Sequence, residues 1–386
     1  SGILRYVRIE YPGVAFAKDN EINGLTFGAV GRGTVVDYVQ VAYSGDDSFE
    51  WFGGTVNCKH LIAFAGVDDD FDTDYGYSGK LQFLLGIRDP KVADQAGASN
   101  GFESDNDGSG STNGPRTSPN WWNVTLIGPK ATDATAIDAK YGHGLHLRRS
   151  SQNKIQNMLI VGWAKDGVYI DGTQTNTDAK NGLWWVKNSI VAGAAKAVDT
   201  TKAAGFDITK WFNDNSNRFY ASNNDVKLNY AFGLSNTNAL PVAGSPALTG
   251  GATPPSDGFF DVAANYVGAF GTKDWTSGWS TIQANPVDVE EEINNNVTPA
   301  RFAVSQNFPN PFNPSTTIEF EITKDSRVII VVYNILGQKV ADLTDGTFAA
   351  GKHQVIFNAN DQASGIYFAK VVSEGQSKIV KMLLVK

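Results

Sequence analysis

The sequence has little of what disulfide-bonded, zinc-binding or membrane-spanning proteins need. It contains one cysteine, Cys58, which excludes an intrachain disulfide. Its four histidines show no zinc-ligand spacing. No stretch approaches the roughly 18 apolar residues of a transmembrane helix. A phosphate-binding glycine loop and a serine nucleophile elbow are also missing.

Charged side chains are scarce as well. They make up 19% of the 386 residues, below the roughly 25% usual for soluble domains. Forty glycines and many Asn, Ser and Thr residues take their place, a composition that favours short strands joined by tight turns. The net charge is −8, and the residues before Arg301 carry the acidic excess, with 23 basic and 33 acidic side chains. Nucleic acid is therefore an unsuitable partner, whereas cations are suitable ones.

An internal repeat with a period near 22 occupies the first part of the chain. Val36–Phe52 aligns with Cys58–Asp74, and a third copy begins at Lys80. The alignment stacks apolar positions in columns: Val39 on Leu61, Val41 on Ala63, continued by Leu81, Phe83 and Leu85. Later short alternating runs end in Gly, Asn or Asp. Stacked coils that complete one another's core are typical of a parallel β-helix, although an antiparallel sandwich is the alternative.

We therefore predict an all-β protein in which residues 1–285 form a right-handed parallel β-helix (a solenoid) with lateral loops and a C-terminal cap. Lys202–Asn217 is the best helical candidate. Ala239–Trp279 is expected to supply the final coils and the cap, with Trp275 and Trp279 covering the end. Residues 286–299, rich in Glu and Asn with proline at both ends, are predicted to be an extended linker.

Residues 300–386 alternate polar and apolar residues in several short runs, which predicts a small Ig-like antiparallel β-sandwich. The segment also resembles the C-terminal sorting domains of type IX secretion. The likeness rests on QNFPNPFNP (306–314), YNILGQKV (333–340), SGIYFAKV (364–371) and KIVKMLLVK (378–386), in that order. Its sorting-motif residues are Phe308, Pro309, Asn310, Pro311, Phe312, Gly337, Gly365, Tyr367 and Lys386.

The resemblance implies export by the type IX machinery of a bacterium and an extracellular or cell-surface location. Such tails are usually removed after export, so a retained tail would have a structural role. The first part resembles uncharacterised β-helix proteins that carry this tail, through EWFGGTV (50–56) and DWTSGW (274–279). Ser1 already lies in a predicted strand, so we expect an upstream portion in the natural protein.

Acidic residues recur in the same register as the apolar columns, which suggests a Ca²⁺ site. The candidate ligands are Asp46, Asp47, Asp68, Asp69, Asp70, Asp72 and Asp74. Strand alternation would place Asp68, Asp70, Asp72 and Asp74 on one face. Carboxylates on coils about 4.8 Å apart repel unless a hard cation lies between them. A solvated ladder of acidic turns is the alternative.

Glu103, Asp105 and Asp107 begin a second candidate Ca²⁺ site, because oxygen side chains alternate before Gly108. Gly114 stands at the twelfth position, where an EF-hand has Glu, so a flexible Gly/Ser loop is the alternative.

A polysaccharide-cleaving enzyme is a further hypothesis, since polygalacturonases of this fold combine an Asp-rich set with a GHG motif. The chain has Asp72–Asp74, Asp46, Asp47, Gly142–Gly144 and Arg148, but in a different order and with long spacing. His143 and His146 are accordingly expected to be turn and surface residues.

Six tryptophans, several in adjacent pairs, could present an exposed aromatic row for glycans or pack beneath lateral loops: Trp51, Trp121, Trp122, Trp163, Trp184 and Trp185. Three functions follow. The first is a surface structural protein that assembles with itself into a filament or matrix. The second is an adhesin that binds surface polysaccharide. The third is a pectinase-like hydrolase or lyase.

Overall fold

The computed structural model describes residues 2–13, 22–235, 237–282, 302–373 and 375–386. The chain divides into two compact units, Ser1–Asn285 and Pro286–Lys386. The predicted linker at 286–299 lies outside the described residues.

Two parallel sheets build the first unit, and the chain passes from one to the other coil after coil. Sheet A contains ten strands: β1 (Ile3–Glu10), β3 (Val35–Ala42), β5 (Asn57–Phe64), β7 (Lys80–Ile87), β9 (Asn120–Ile127), β11 (Lys154–Gln156), β12 (Leu159–Val161), β14 (Trp185–Lys187), β15 (Ile190–Ala192) and β17 (Arg218–Tyr220). Sheet B contains seven: β2 (Leu25–Gly28), β4 (Phe49–Phe52), β6 (Phe71–Asp74), β8 (Phe102–Ser104), β10 (Leu145–Leu147), β13 (Asp166–Ile170) and β16 (Lys196–Thr200). Parallel pairing between successive coils confirms the predicted β-helix.

The predicted register is right for the first two copies and wrong for the third. Val39 pairs with Leu61, as expected. Leu61 then pairs with Leu84, and Cys58 pairs with Leu81, a shift of 23 residues. The turn before β7 holds one more residue than the turn before β5, so Leu81 and Leu85 belong to other columns than those predicted.

A row of left-handed residues bends sheet A along its whole length. The bend positions, each with φ between 50° and 63°, are Tyr6, Tyr38, His60, Phe83, Asn123, Asn157 and Asn188. The first four rings stack at centroid distances of 4.1–5.0 Å. Asparagine tolerates this backbone region, whereas for Tyr and Phe it is strained, and ring stacking offsets that cost. Phe83, predicted to lie in an apolar column, is thus a bend residue.

Residues 249–282, which we call the strap, run back over the bend of sheet A. The Asn123 amide donates to the carbonyl oxygens of Ala264 (3.1 Å) and Tyr266 (2.8 Å). At the other end, Trp279 packs edge-on against Tyr6 and Tyr38. The prediction that Trp275 and Trp279 cover the C-terminal end is therefore wrong, because the strap places them beside the first coils.

Two hydrophobic cores result. The larger lies between the sheets, inside the coils, and includes Phe49, Phe71, Phe102 and Trp121. The second lies between sheet A and the strap, and includes Ile62, Phe64, Val267 and Phe270.

The remaining regular elements of the first unit are short. They are α1 (Thr173–Lys180), α2 (Ile208–Asp214), 3-10 turns at Asn223–Val226 and Pro246–Leu248, and an antiparallel pair, β18 (Leu228–Tyr230) with β19 (Asn238–Pro241). Helix α2 lies within the predicted Lys202–Asn217, and its Phe212 is buried in the core inside the coils.

The second unit is an antiparallel β-sandwich, as predicted. Sheet C contains β20 (Ala303–Val304), β21 (Ser315–Ile322) and β24 (Gly351–Asn358). Sheet D contains β22 (Ser326–Asn334), β23 (Lys339–Phe348), β25 (Gly365–Ser373) and β26 (Gln376–Leu384). Alternate residues of both sheets, such as Ile318, Ile330 and Met382, form its core.

Candidate functional site

One column of side chains runs along the outer face of sheet B. Strand pairing stacks five residues from successive strands, which we call the outer column: Glu50, Asp72, Glu103, His146 and Tyr169. Their strand neighbours, such as Phe71 and Phe102, point into the core. Alternation along each strand therefore directs the column outward.

Carboxylates crowd the acidic end of the column. Oxygens of Asp46, Asp47 and Asp68 lie within 4.8 Å of one another, and so do oxygens of Asp47, Glu50 and Asp72. Asp47 belongs to both groups. The Oδ1 atom of Asp72 is buried and has no hydrogen-bond partner among the described residues. The structure thus brings together most of the first predicted metal-ligand set.

Burial and mutual repulsion raise the pKa values of this cluster. Burial raises the pKa of Glu50 to about 8 and that of Asp68 to about 7, and neighbouring carboxylates add to both shifts. The pKa values of Asp47 and Asp72 are raised well above the usual range for the same reasons. Burial also raises the pKa of Asp74 to about 6. These groups need a proton or a cation to remain buried together.

Asp69 has a structural role in the same region. Its backbone N–H donates to Asp47 Oδ1 at 2.9 Å, and its own Oδ1 accepts from the Asn100 N–H at 2.5 Å. The Asn100 side chain accepts from the His143 N–H at 2.8 Å. These side chains join the turns of neighbouring coils and hold the carboxylates in register.

Asp70 lies apart from the cluster, which corrects the predicted face of Asp68, Asp70, Asp72 and Asp74. Its side chain is fully buried beside Arg88, with Oδ1 2.9 Å from the guanidinium. The segment before Phe71 is a turn rather than a strand, so side chains do not alternate there.

The second predicted site does not converge. Asp105 bonds Arg148 at 2.8 Å and Arg149 at 2.6 Å. Asp107 accepts from the backbone and side chain of Ser109 and Ser111. Glu103 instead joins the outer column, where it bonds Arg148 and lies 3.1 Å from His146 Nδ1.

The two histidines are half-buried members of this face, which corrects the expectation that they are turn and surface residues. His143 stacks on Tyr169 with ring centroids 4.1 Å apart and lies 3.1 Å from an Asp166 oxygen. Burial lowers the pKa of His143, which favours the neutral ring. The alternation of Leu145, His146 and Leu147 is the sequence signal that could have placed His146 on the outer face of a strand.

Most of the tryptophans cannot form an exposed row. Trp51, Trp121, Trp122, Trp163 and Trp184 are buried, and Trp122 packs against Phe260 of the strap. Trp185 alone of the six is half-exposed, with Lys187 over its ring at 4.5 Å. Trp51, Trp121, Trp163 and Trp184 belong to the core inside the coils, so packing beneath lateral loops does not describe them either, and only Trp122 lies beneath a covering segment.

In the sandwich, the predicted sorting motif borders the last strand. Phe312 is buried, donates to the Leu383 carbonyl at 2.9 Å and accepts from the Val385 N–H at 3.0 Å. Asn310 Oδ1 accepts from the Leu383 N–H at 2.8 Å, whereas Phe308, between Asn307 and Pro309, is exposed. The loop that contains Pro309 and Pro311 therefore lies against the C-terminal strand.

The other sorting residues shape turns and ends. Gly337 and Gly365 have φ values of 74° and 156°, the first of which favours glycine at the tip of the β22–β23 hairpin. The Tyr367 hydroxyl donates to Ala363 O at 2.7 Å, and the Lys386 ammonium donates to Asn360 O at 2.5 Å.

Comparison with known families agrees with this architecture. The profile of a pectate-lyase-like β-helix domain matches residues 1–245, and that of a secretion-system C-terminal sorting domain matches residues 306–386. No curated protein matches the chain. Among the described residues, no helix is long and apolar enough to cross a membrane.

The sorting domain marks the protein for export to the extracellular space or cell surface and implies contact with the type IX secretion machinery. The chain belongs to the pectate-lyase-like β-helix family and carries a type IX C-terminal sorting domain.

Proposed function

We propose that this exported β-helix binds a carboxylate-bearing polysaccharide along the outer column, with Ca²⁺ held at the acidic end. The observation that carries the proposal is the column itself, which joins carboxylates, an imidazole and a phenol on successive strands. Its members repeat at the coil spacing of about 4.8 Å. A linear polymer laid along the axis would meet a new polar side chain at each coil.

The acidic end supports a Ca²⁺ site through its geometry. Ca²⁺ takes oxygen ligands at about 2.3–2.6 Å, so oxygens around one ion lie up to about 5 Å apart. The two groups that share Asp47 have ligand oxygens within 4.8 Å of one another. Bound Ca²⁺ would replace the protons that burial imposes and would attract a polyanion to an otherwise repellent surface.

The other end of the column supports polymer contact directly. Tyr169 and His143 form a stacked, half-buried pair beside His146. The Arg149 side chain is 43% exposed and shares Asp105 with Arg148, which also bonds Glu103 of the outer column. Aromatic faces and guanidinium groups are suited to sugar rings and to their carboxylates.

The test is a binding titration against uronate-containing and neutral polysaccharides, in Ca²⁺ and in chelator. We expect Ca²⁺-dependent binding of a uronate polymer and a loss of at least about tenfold in affinity for Asp72→Asn, since a charged contact is removed. Asp133→Asn, an exposed carboxylate on a lateral loop, is the control. Equal affinities for the two variants would contradict the proposal, and release of reducing ends would add cleavage to binding.

Self-assembly is a second candidate, favoured by the edge of β1. Among the described residues, β1 pairs with β3 only, and Ile3, Tyr6 and Tyr11 are exposed. A strand edge with exposed apolar side chains is a template for pairing with another chain. Non-closing contacts of this kind between copies would build a filament or matrix.

Sedimentation velocity at increasing concentration, with electron microscopy, tests this candidate. Filaments or oligomers in the wild type that Ile3→Lys abolishes would support it. Monomers at all concentrations, or an upstream segment of the natural protein paired with β1, would contradict it.

A further inference from the structure

Three of the four sorting stretches meet at one shallow groove on the outer face of sheet D. The groove has a volume of about 400 Å³. It is lined by Tyr333, Asn334, Ile335, Gly337, Phe368, Lys370 and Ile379. These residues come from 333–340, 364–371 and 378–386, which pairing of β22 with β25 and of β25 with β26 brings side by side.

Core packing does not explain the apolar residues of this groove. Ile335 and Ile379 are 69% and 65% exposed, and Leu336 beside them is 77% exposed. The core of the sandwich is made instead by their strand neighbours, such as Val332, Ala369 and Val380. The outward apolar residues therefore lower the solubility of the domain and do not stabilise its fold. Such an exposed apolar patch indicates a binding surface.

The hairpin tip at the groove is rigidly held. Asn334 Oδ1 accepts from the N–H groups of Leu336 and Gln338, both at 3.0 Å, and the Asn334 amide donates to Gln338 Oε1 at 2.9 Å. Ile335 and Leu336 are thus presented in a fixed position, which lowers the entropic cost of binding.

The charge of the groove restricts its partner. Lys370 pairs with Val331 on one side and Ile379 on the other, and Lys381 pairs with Phe368. Neither lysine has an ion-pair partner among the described residues, unlike Arg327 and Lys339 of the same sheet, which bond Asp345 and Asp342. A partner that presents a carboxylate beside apolar side chains would complement this side.

We propose that this groove is the docking surface through which the sorting domain contacts the type IX secretion machinery, and that the machinery presents an acidic, apolar segment to it. Ile335 and Ile379 make the apolar contacts, and Lys370 pairs with the carboxylate. Phe312 and the loop against β26 then hold the last strand in position without touching the partner.

The test compares export of the full chain and its variants in a type IX-secreting bacterium. We expect Ile379→Asn to reduce the exported fraction about tenfold, as for an interface hot spot. Ile356→Asn is the matched control, since Ile356 is a 68% exposed isoleucine on β24 of the other sheet. It should export as the wild type does.

A charge pair of variants tests the acidic partner. Lys370→Glu should reduce export to a similar extent, whereas Lys352→Glu on β24 should not. Thermal melting of each purified full-length variant separates misfolding from lost recognition, and we expect melting temperatures equal to the wild type for all four. Normal export of Ile379→Asn, or equal losses in the two isoleucine variants, would overturn the proposal. Normal export of Lys370→Glu would overturn the acidic partner.

Discussion

At the scale of single residues, the outer face of sheet B carries a cluster of carboxylates that is too buried for water to solvate fully. Asp47 shares close oxygen contacts with Asp46, Asp68, Glu50 and Asp72. A solvated acidic ladder was the alternative to a metal site. Burial of this cluster, and the buried unpartnered oxygen of Asp72, favour the site.

The pH dependence of stability follows from the sign of these shifts. The pKa values of Glu50 (about 8) and Asp68 (about 7) are raised in the folded state. The folded protein therefore holds more protons than the unfolded one between pH 4 and 8, and its stability falls as the pH rises. In chelator we expect the free energy of unfolding to fall by several kcal/mol over this window, measured by urea unfolding.

Ca²⁺ should reverse this loss at the upper end of the window, because ion binding stabilises the ionised cluster. Asp72→Asn should weaken both the pH dependence and the effect of Ca²⁺. A stability that rises with pH in chelator would contradict this account of the cluster.

The buried pair Asp70 and Arg88 predicts a large stability effect. Both side chains are fully buried at 2.9 Å, so removing one charge leaves the other unpaired. Asp70→Asn should cost about 3–5 kcal/mol in unfolding free energy. The double variant Asp70→Asn with Arg88→Met should lose less than the sum of the single variants, and additive losses would show that the pair is not coupled.

At the scale of elements, the bend of sheet A and the strap form one structure. Among the bend positions, Asn123 and Asn157 donate hydrogen bonds to carbonyl oxygens of the strap. The aromatic bend positions His60 and Tyr38 make edge-on ring contacts with Trp275 and Trp279 of the strap. Together they bury the second core, which the coils alone would leave in water.

Asn123→Ala tests whether the hydrogen bonds from the bend of sheet A hold the strap in place. It removes the hydrogen bonds that the Asn123 amide donates to the Ala264 and Tyr266 carbonyls and the one it accepts from the Gln82 amide, which costs about 2 kcal/mol. Asn188→Ala is the matched control, since Asn188 has the same left-handed backbone but only a 3.5 Å contact with Gly250 O. Hydrogen exchange in residues 249–282 should rise in the first variant alone, and equal rises would refute the role of Asn123.

The strands themselves were predictable from alternation and repeat, as the pairing of Phe49 with Phe71 and Glu50 with Asp72 shows. The strap was not. Its residues 249–282 carry many glycines and prolines, and nothing local indicates that such a segment doubles back along the solenoid. The outer column was predictable as far as Glu103, because GFESD (101–105) repeats the pattern of DFDTD (70–74) across the insertion after Ile87, and strand pairing joins Asp72 with Glu103. His146 and Tyr169 follow in later coils, where the spacing of the repeat changes.

At the scale of the whole molecule, the two units carry different features. The β-helix carries a graded polar column, and the sandwich carries the sorting motif with its groove. Export is assigned by the second unit and ligand binding is proposed for the first. The two proposals therefore fail independently.

A variant of the outer column should still be secreted but should no longer bind the ligand. Asp72→Asn should reach the medium or the cell surface at the wild-type level, because the sorting domain is unchanged. Export assays with cell fractionation measure this, and a large export defect in a variant that folds normally would link the column to secretion.

Oxidative footprinting with and without a bound uronate polymer tests the central claim most directly. In Ca²⁺, the polymer should protect Tyr169 and His146 from oxidation, while Tyr230, an exposed tyrosine on β18, stays equally reactive. Protection of Tyr230 with no change at Tyr169 and His146 would place the ligand elsewhere and contradict the account.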